Sequence, residues 1–560
     1  NIGKDFSVEM RTESPRSLLI VGKPGVGKSA VRRLLTKKLL GEGWNVLKTS
    51  AANIIADKVY IGEIEGQAKK LSEKATVAKR VAIVVDRLAE LSELGRTKRN
   101  DNSVLDYLWP HIENRKIFLI GEATPSSLQV LLRRHPSLAT AMKVVKMEPC
   151  SETTSEHLAN ELLNWLYDEL PDHQRNEVVA EALQLSQQYL AHKSLPGSVL
   201  SLLRLAAVRS EQSDDDEPLG RIHVLGALSQ VSGLPKDVLD ERQRLDIDVL
   251  RDAFTSRVIG QDEAVDCLVE RIAMLKAGLT DPTRPVGVFL FAGPTGTGKT
   301  EIAKRLAELL FGSPEQMIRL DMSEYQNSDS AWRLIGQSDR DQATGSLVSR
   351  IREQPFSVVL LDEFEKAHTK VWDIFLQVFD DGRLTDSNGA LADFRHAIII
   401  LTSNLGATIS NKAGVGFTST SGGFSSDDVM KTVNRTFRRE FVNRLDNVIV
   451  FNPLSREVMR AILQKELRQA LGRRGLRTKQ WAVEWEDSAI EFLLNEGFTP
   501  DLGARPLRRA IEKHLLAPLS ITMVQNQVPE GEQFLFVRSN GEALQVEFID
   551  PDADVDAQSQ

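Results

Sequence analysis

The 560-residue chain carries 70 basic and 78 acidic side chains, a net charge of −8, and 41% of it is apolar. It therefore reads as about three to five folding units with real cores, and the balance excludes a chain built mainly to coat nucleic acid or an anionic membrane. Cys150 and Cys267 are too few for a disulfide framework and sit in no metal-ligand spacing, which points to a reducing compartment, cytoplasm or an organelle matrix or stroma. No apolar run approaches the ~20 residues of a membrane span, and a start at Asn1-Ile2-Gly3-Lys4, with neither Met nor signal-peptide profile, reads as a fragment of a longer protein.

Ser17-Leu18-Leu19-Ile20-Val21 is strand-like and leads into Gly22-Lys23-Pro24-Gly25-Val26-Gly27-Lys28-Ser29, a complete GxxxxGK[ST] phosphate-binding loop, and then a Leu-rich helical stretch. Val81 to Asp86 and Lys116 to Ile120 are further buried strands. Helical patterns follow at Ser155 to Leu170, Arg175 to His192 and Ser198 to Val208, and the charged run Ser213 to Pro218 reads as a flexible connection.

About 270 residues after the first loop the pattern repeats. The apolar strand Val286 to Ala292 enters Gly293-Pro294-Thr295-Gly296-Thr297-Gly298-Lys299-Thr300, and a helix opens at Glu301. Glycines let backbone N–H groups close on a triphosphate, Lys299 neutralises its outer phosphates, and the Thr300 hydroxyl is a ligand for Mg²⁺. The strand Ser357 to Leu361 ends in Asp362 and Glu363, placed to hold the metal through water and to polarise an attacking water. Met317 to Leu320, His396 to Leu401 and Val448 to Phe451 complete the short strands. Strands alternating with helices predict an α/β fold, two doubly wound parallel sheets with ligand at the carboxyl ends. Helices at Arg456 to Gly472 and Asp487 to Gly497 come next. Phe534 to Arg538 and Leu544 to Ile549 flank Asn540-Gly541 as a β-hairpin, and Asp550 to Gln560 reads as disordered. The expected domains are 1–150 (first large domain), 151–235 (its helical small domain and connection), 236–455 (second large domain), 456–550 (second small domain) and a tail at 551–560.

The second half resembles the two-ring Clp branch of the AAA+ ATPases (ClpA, ClpC and ClpB). The matching residues are Val258-Ile259-Gly260-Gln261, Leu320 to Tyr325, Leu360 to His368, Asp380 to Asp386, Thr402 to Gly406 and Gly503-Ala504-Arg505-Pro506-Leu507. Agreement is dense from about residue 236 to 530 and weaker from about 15 to 235. The resemblance implies that Val258 and Ile259 contact adenine and that Asn404 helps hold the attacking water. It makes Arg505 a second sensor of the γ-phosphate and Arg444 an arginine finger for the neighbouring subunit's nucleotide, worth about 10³–10⁵ in rate. ATP and Mg²⁺ are the implied cofactors, and a homo-oligomeric ring, by resemblance a hexamer, is the implied assembly.

The first module departs from this pattern. Arg87 follows Asp86 where the family places the water-activating Glu, and a cation cannot act as that base. Leu138-Ala139-Thr140-Ala141-Met142-Lys143 stands where relatives carry a pair of arginines. Both losses imply a site that binds nucleotide through Lys28 and Ser29 but hydrolyses it poorly or not at all. No adenine-side segment is recognisable ahead of this loop. Tyr60, in Tyr60-Ile61-Gly62-Glu63, resembles the family's pore loop with Tyr60 as the gripping residue; the alternative is a partly buried tyrosine at a strand–helix junction. The corresponding segment of the second module, Gly336 to Ser346, has no aromatic or large apolar residue. No adaptor domain is expected ahead of the first loop, and Arg209 to Gly220 leaves no room for a long coiled-coil insertion. Val415-Gly416-Phe417 lies where protease-associated relatives dock the ClpP peptidase.

An ATP-driven protein remodeller acting on a protein client, with a ClpP-like peptidase or adaptor as candidate partner, is the leading expectation. A nucleotide-switched ring scaffold that regulates a partner without threading is the alternative. Clusters such as Arg473-Arg474-Gly475-Leu476-Arg477 and Arg438-Arg439 read as solvated helix faces, so no nucleic-acid or membrane partner is expected.

Overall fold

The computed structural model describes residues 15–55, 61–77, 80–96, 101–167, 169–190, 193–212, 218–240, 242, 246–336, 345–386, 390–405, 425–473, 476, 481–497, 503–525 and 533–549. The chain divides into two compact units that part between Leu239 and Asp240.

In the first unit β1 (Ser17–Gly22), β2 (Asn45–Thr49), β3 (Val81–Val85), β4 (Phe118–Ala123) and β5 (Met142–Met147) form a parallel sheet in the order β2-β3-β4-β1-β5. Alternation along the central strands feeds two cores. Leu19, Val21, Ile83 and Val85 pack on one face and Leu18, Ile20, Ala82 and Val84 on the other, which is why these strands are continuous apolar runs. The edge strands β2 and β5 were not anticipated, because Asn45-Val46-Leu47-Lys48-Thr49 and Met142 to Met147 are half exposed and interleave lysines with apolar residues. Strand β4 starts two residues later than the sequence suggests. The N–H groups of Lys116 and Ile117 are taken by His111 O at 2.8 and 3.2 Å, and pairing of Val21 with Ala123 carries the strand further. Helices Glu152–Leu166, Asp172–Tyr189, Gly197–Glu211 and Arg221–Ser232 pack together after the sheet. Residues 213–217 of the expected connection lie outside the described residues.

In the second unit β6 (Gly287–Ala292), β7 (Met317–Asp321), β8 (Val358–Asp362), β11 (Ile398–Ser403) and β12 (Asn447–Val450) form a parallel sheet in the order β12-β6-β11-β8-β7, the same winding. The small antiparallel pair β9 (Arg383–Thr385) and β10 (Leu391–Asp393), three residues each, gave no sequence signal. The registers of the two sheets agree residue for residue. Ile400 faces Phe289 and Leu360 as Ile120 faces Leu18 and Val84, so Asp86 answers to Asp362, Arg87 to Glu363 and Glu122 to Thr402. Beneath the end of β8, the fully buried Phe364 ring lies 5.3 to 6.2 Å from the rings of Trp372, Phe375, Phe437 and Phe441.

Helices Arg456–Leu471, Asp487–Gly497 and Arg505–Ile511 complete this unit together with a sheet of β13 (Trp481–Trp485), β14 (Gln533–Ser539) and β15 (Leu544–Ile549). The expected hairpin is the antiparallel pair β14–β15, but it is not the whole sheet, since β13 joins β14 in parallel and Trp481 meets Phe548 edge-on at 5.5 Å. The five residues of β13 are too few for their alternation to stand out. Residues 550–560, expected to be disordered, lie outside the described residues.

Phe364 joins the aromatic core to the residue that precedes it, Glu363. Replacing it with alanine should cost about 3–5 kcal/mol of unfolding free energy for this unit, read by urea denaturation, through lost contact and a residual cavity. A loss below about 1 kcal/mol would mean that the four neighbouring rings collapse into the space.

Candidate nucleotide site

The second loop leaves β6 at Gly293, where φ is +143° and any Cβ would run into Phe451 O, and it enters the helix Lys299–Phe311 through Gly298. Gly298 is left-handed, with φ 104°, and no side chain caps the helix, so its first N–H groups face the loop as an anion site. Lys299 is only 7% exposed. Its Nζ donates to Gly293 O and Pro294 O at 2.7 Å each and to Asn404 Oδ1 at 3.3 Å. Burial pulls its pKa from 10.5 down to about 8, against the opposing pull of Glu365, Asp362 and Glu363, with Arg505 adding to the depression.

The registers of β8 and β11 bring Asp362 and Thr402 side by side at the carboxyl edge of the sheet. The Thr402 hydroxyl donates to Asp362 Oδ1 and accepts the Glu363 N–H at 3.1 Å. That second bond supports a left-handed backbone at Glu363, φ 57°, which costs a non-glycine residue on the order of 1–3 kcal/mol. The Glu363 carboxylate accepts from Asn404 Nδ2 at 3.0 Å and from Lys366 Nζ at 2.5 Å, and Glu365 Oε1 accepts the Asn404 N–H at 3.0 Å. Arg319 pairs with Asp362 Oδ2. Glu365, Lys366 and Thr402 lie inside the matching motifs without an assigned role, and Arg319 lies in none; the register of β11 against β8 gives Thr402 its place.

Arg319, Asp362, Glu363 and Asn404 line a cleft of about 500 Å³ that Val258, Ile259, Thr295 to Thr300 and Arg505 also border. The helix Arg505–Ile511 is seated directly on the loop. Ala504 N–H donates to Gly296 O at 3.2 Å, and a Cβ on Gly503 would lie 2.8 Å from both Gly296 O and Thr295 O. Gln261, buried, braces the same loop by donating to Thr297 O at 3.2 Å and to Asn452 O at 3.0 Å. Arg444 does not line this cleft. It pairs with Asp380 in a separate recess beside Arg284 and Glu440.

The donor set suits Mg²⁺: a Thr300 hydroxyl at the cleft and the Asp362 and Glu363 carboxylates opposite. Among the described residues no group of three or more His, Cys, Asp or Glu is arranged to hold a metal alone.

At the first loop Lys28 repeats the posture of Lys299, donating to Gly22 O at 2.7 Å and Lys23 O at 2.9 Å, with its pKa lowered by burial against the raising effect of Glu122. Gly27, φ 94°, opens an uncapped helix Lys28–Gly41. Ser194 N–H donates to Pro24 O at 2.8 Å and Gly197 N–H to Gly25 O at 2.9 Å, the counterpart of the Ala504 contact, so buried Ser198 stands where the second module has Arg505. Arg87 points to Glu90 instead of a nucleotide, and Leu138, Ala141 and Met142 are buried in the core of this unit. The carboxyl edge differs most, with Ser29 and Arg32 both engaged by Glu122. Tyr60, residues 337–344 and Val415-Gly416-Phe417 lie outside the described residues.

Two phosphate loops on identically wound sheets, one with a full carboxylate edge, define a tandem AAA+ ATPase. Family models agree: "ATPase family associated with various cellular activities (AAA)" matches residues 18–138, "AAA domain (Cdc48 subfamily)" residues 284–448, and "C-terminal, D2-small domain, of ClpB protein" residues 454–536. Chaperone protein ClpB of Oceanobacillus iheyensis is 31% identical over 92% of this chain and 73% of its own. The negative regulator of genetic competence ClpC/MecB of Bacillus subtilis is 30% identical over 94% and 74%. The Hsp104–ADP complex of S. cerevisiae superposes with a TM-score of 0.70 at 25% identity, covering 97% of this chain and 94% of that one. The chain belongs to the Clp family of double AAA+ ATPases, and it is a Clp-type ATP-dependent protein unfoldase or remodeller. Among the described residues no helix is long and apolar enough to cross a membrane.

The depressed pKa of Lys299 fixes a pH dependence. Phosphates favour the ammonium, so above the free-protein value of about 8 nucleotide binding takes up a proton, and affinity should fall by about tenfold per pH unit. Calorimetric titration of ADP in two buffers of different ionisation enthalpy should show uptake approaching one proton near pH 9.5 and close to none near pH 7. Equal affinity at both pH values would show that the amine stays protonated throughout.

Proposed function

We propose that the second module performs the hydrolysis that moves or disassembles a polypeptide client, and that the first module serves as a nucleotide-responsive platform. The contrast between the two carboxyl edges carries this reading: Asp362, Glu363, Thr402 and Asn404 converge on the second loop, whereas Arg87 takes the place of the base in the first. Lys299 and the helix N-terminus bind the phosphates. Asn404 links Lys299 to Glu363, so the residue beside the γ-phosphate also orients the base, and Glu363 takes a proton from the attacking water. Mg²⁺, held through Thr300 and Asp362, would neutralise charge on the phosphates. Arg505, carried on a helix seated on the loop, reports phosphate occupancy to the small domain.

Arg444 lies outside its own cleft, which supports its role as a finger reaching a neighbour's nucleotide. We therefore propose a closed ring, by likeness to the Clp family a hexamer, in a soluble reducing compartment, with Val415-Gly416-Phe417 marking a ClpP-like peptidase as the candidate partner. The polar 337–344 segment favours a second reading, a switched scaffold that binds its partner without threading it.

Glu363→Gln should abolish nearly all turnover while ATP binding and assembly persist; more than about a tenth of wild-type turnover would show that the first module hydrolyses. Arg444→Ala subunits should be inactive alone but regain activity when mixed with Glu363→Gln subunits, in on the order of a quarter of the sites of randomly mixed rings. Verified mixed rings with no activity at any ratio would remove the shared site. To separate the two readings, Tyr60→Ala should spare basal ATPase and abolish unfolding of a tagged protein, because an aromatic grips a passing chain where a methyl does not. Unchanged client processing would favour the scaffold.

A further inference from the structure

The first loop keeps the half of the site that holds phosphate and has lost the half that would hold a metal. Ser29 answers to Thr300, the magnesium-side hydroxyl, yet it donates to Glu122 Oε2 at 3.0 Å. Asp86 answers to Asp362, yet its Oδ1 lies 2.5 Å from Arg32 Nη1. The Nε of Arg32 donates to Glu122 Oε1, and the Arg32 and Glu122 side chains are 9% and 8% exposed. At the matching positions the second module has Ala303, three residues after Thr300, and Thr402. A methyl and a hydroxyl have thus been replaced by a guanidinium and a carboxylate that satisfy each other together with both remaining metal-side groups. A divalent ion entering here would have to displace a buried guanidinium from two carboxylates and leave its charge unpaired.

We propose that the first loop is a metal-independent nucleotide site in which the Arg32 guanidinium stands in the place of the divalent ion. The proposal rests on the reading that this loop binds nucleotide, which Lys28, Gly27 and the uncapped helix support. One positive charge fixed by two carboxylates brings no Lewis-acid chemistry and no ordered metal-bound water. It leaves the α- and β-phosphates to the loop N–H groups and Lys28, so ADP and ATP should bind with similar strength.

The test uses the full chain carrying Lys299→Ala, which disables the second loop, and a fluorescent ADP analogue titrated in excess Mg²⁺ or in EDTA. Affinity should agree within about twofold between the two conditions, whereas the reciprocal Lys28→Ala chain should bind at least about tenfold more weakly in EDTA. A loss of about tenfold or more in EDTA at the first site overturns the proposal. So does the absence of binding in both conditions, which leaves turnover by the second module, and therefore the proposed function, standing. Arg32→Ala added to Lys299→Ala should make binding require Mg²⁺, and Arg32→Lys should not. Continued independence of Mg²⁺ in a folded Arg32→Ala chain overturns the role of the guanidinium. Should that variant fail to fold, the comparison in EDTA decides alone.

Discussion

A lysine ammonium held almost out of reach of water is the constraint around which the second unit is arranged. Nζ of Lys299 is stabilised by two carbonyls of its own loop and an amide oxygen. That shell satisfies the charge only while the nucleotide is away, for triphosphate oxygens are stronger partners than carbonyls. One of the carbonyls belongs to Gly293, whose backbone no side-chain-bearing residue could follow because a Cβ there would meet Phe451 O. The amide belongs to Asn404, which also holds Glu363. Drawing the ammonium away from this shell would loosen one contact of Asn404, so Lys299 and Glu363 are tied through one side chain.

Much of this was legible in the sequence because the central strands must be apolar on both faces and the loops must carry glycine where the backbone turns left-handed. What escaped had no local signal. Strands β2 and β5 lie at sheet edges and take their conformation from a single neighbour, so Lys48, Lys143 and Lys146 stand in them at little cost. Strand β13 is recruited by β14 from some fifty residues away. Arg32 reads as an ordinary polar residue of a helix, and only the register of β4 against β1 and β3 reveals that Glu122 and Asp86 are waiting opposite it. The finer residue roles at the second cleft came from resemblance, and the structure adds where each side chain stands.

The two modules show how far a site can be altered without changing its frame. Sheet order, register, loop glycines and a lysine folded back onto its own loop carbonyls are common to both, and the differences near the loop lie in a few side chains. Three of them, Arg32, Arg87 and Glu122, exchange an edge with two carboxylates for one whose charges cancel. The fold energy resides in the shared apolar layers, so such exchanges leave the sheet itself undisturbed.

Gly503 and, one position further along in its own module, Gly197 are each pressed against a carbonyl of the phosphate loop so closely that a methyl group would wedge the helical domain away. A helix that rests on backbone with nothing in between has no soft side chain to absorb a displacement. The two surfaces meet like meshed teeth, backbone against backbone. Both modules are geared in this way. Where the carboxyl edge has been rewritten, the first module still keeps a direct backbone linkage from its loop to the helices behind it.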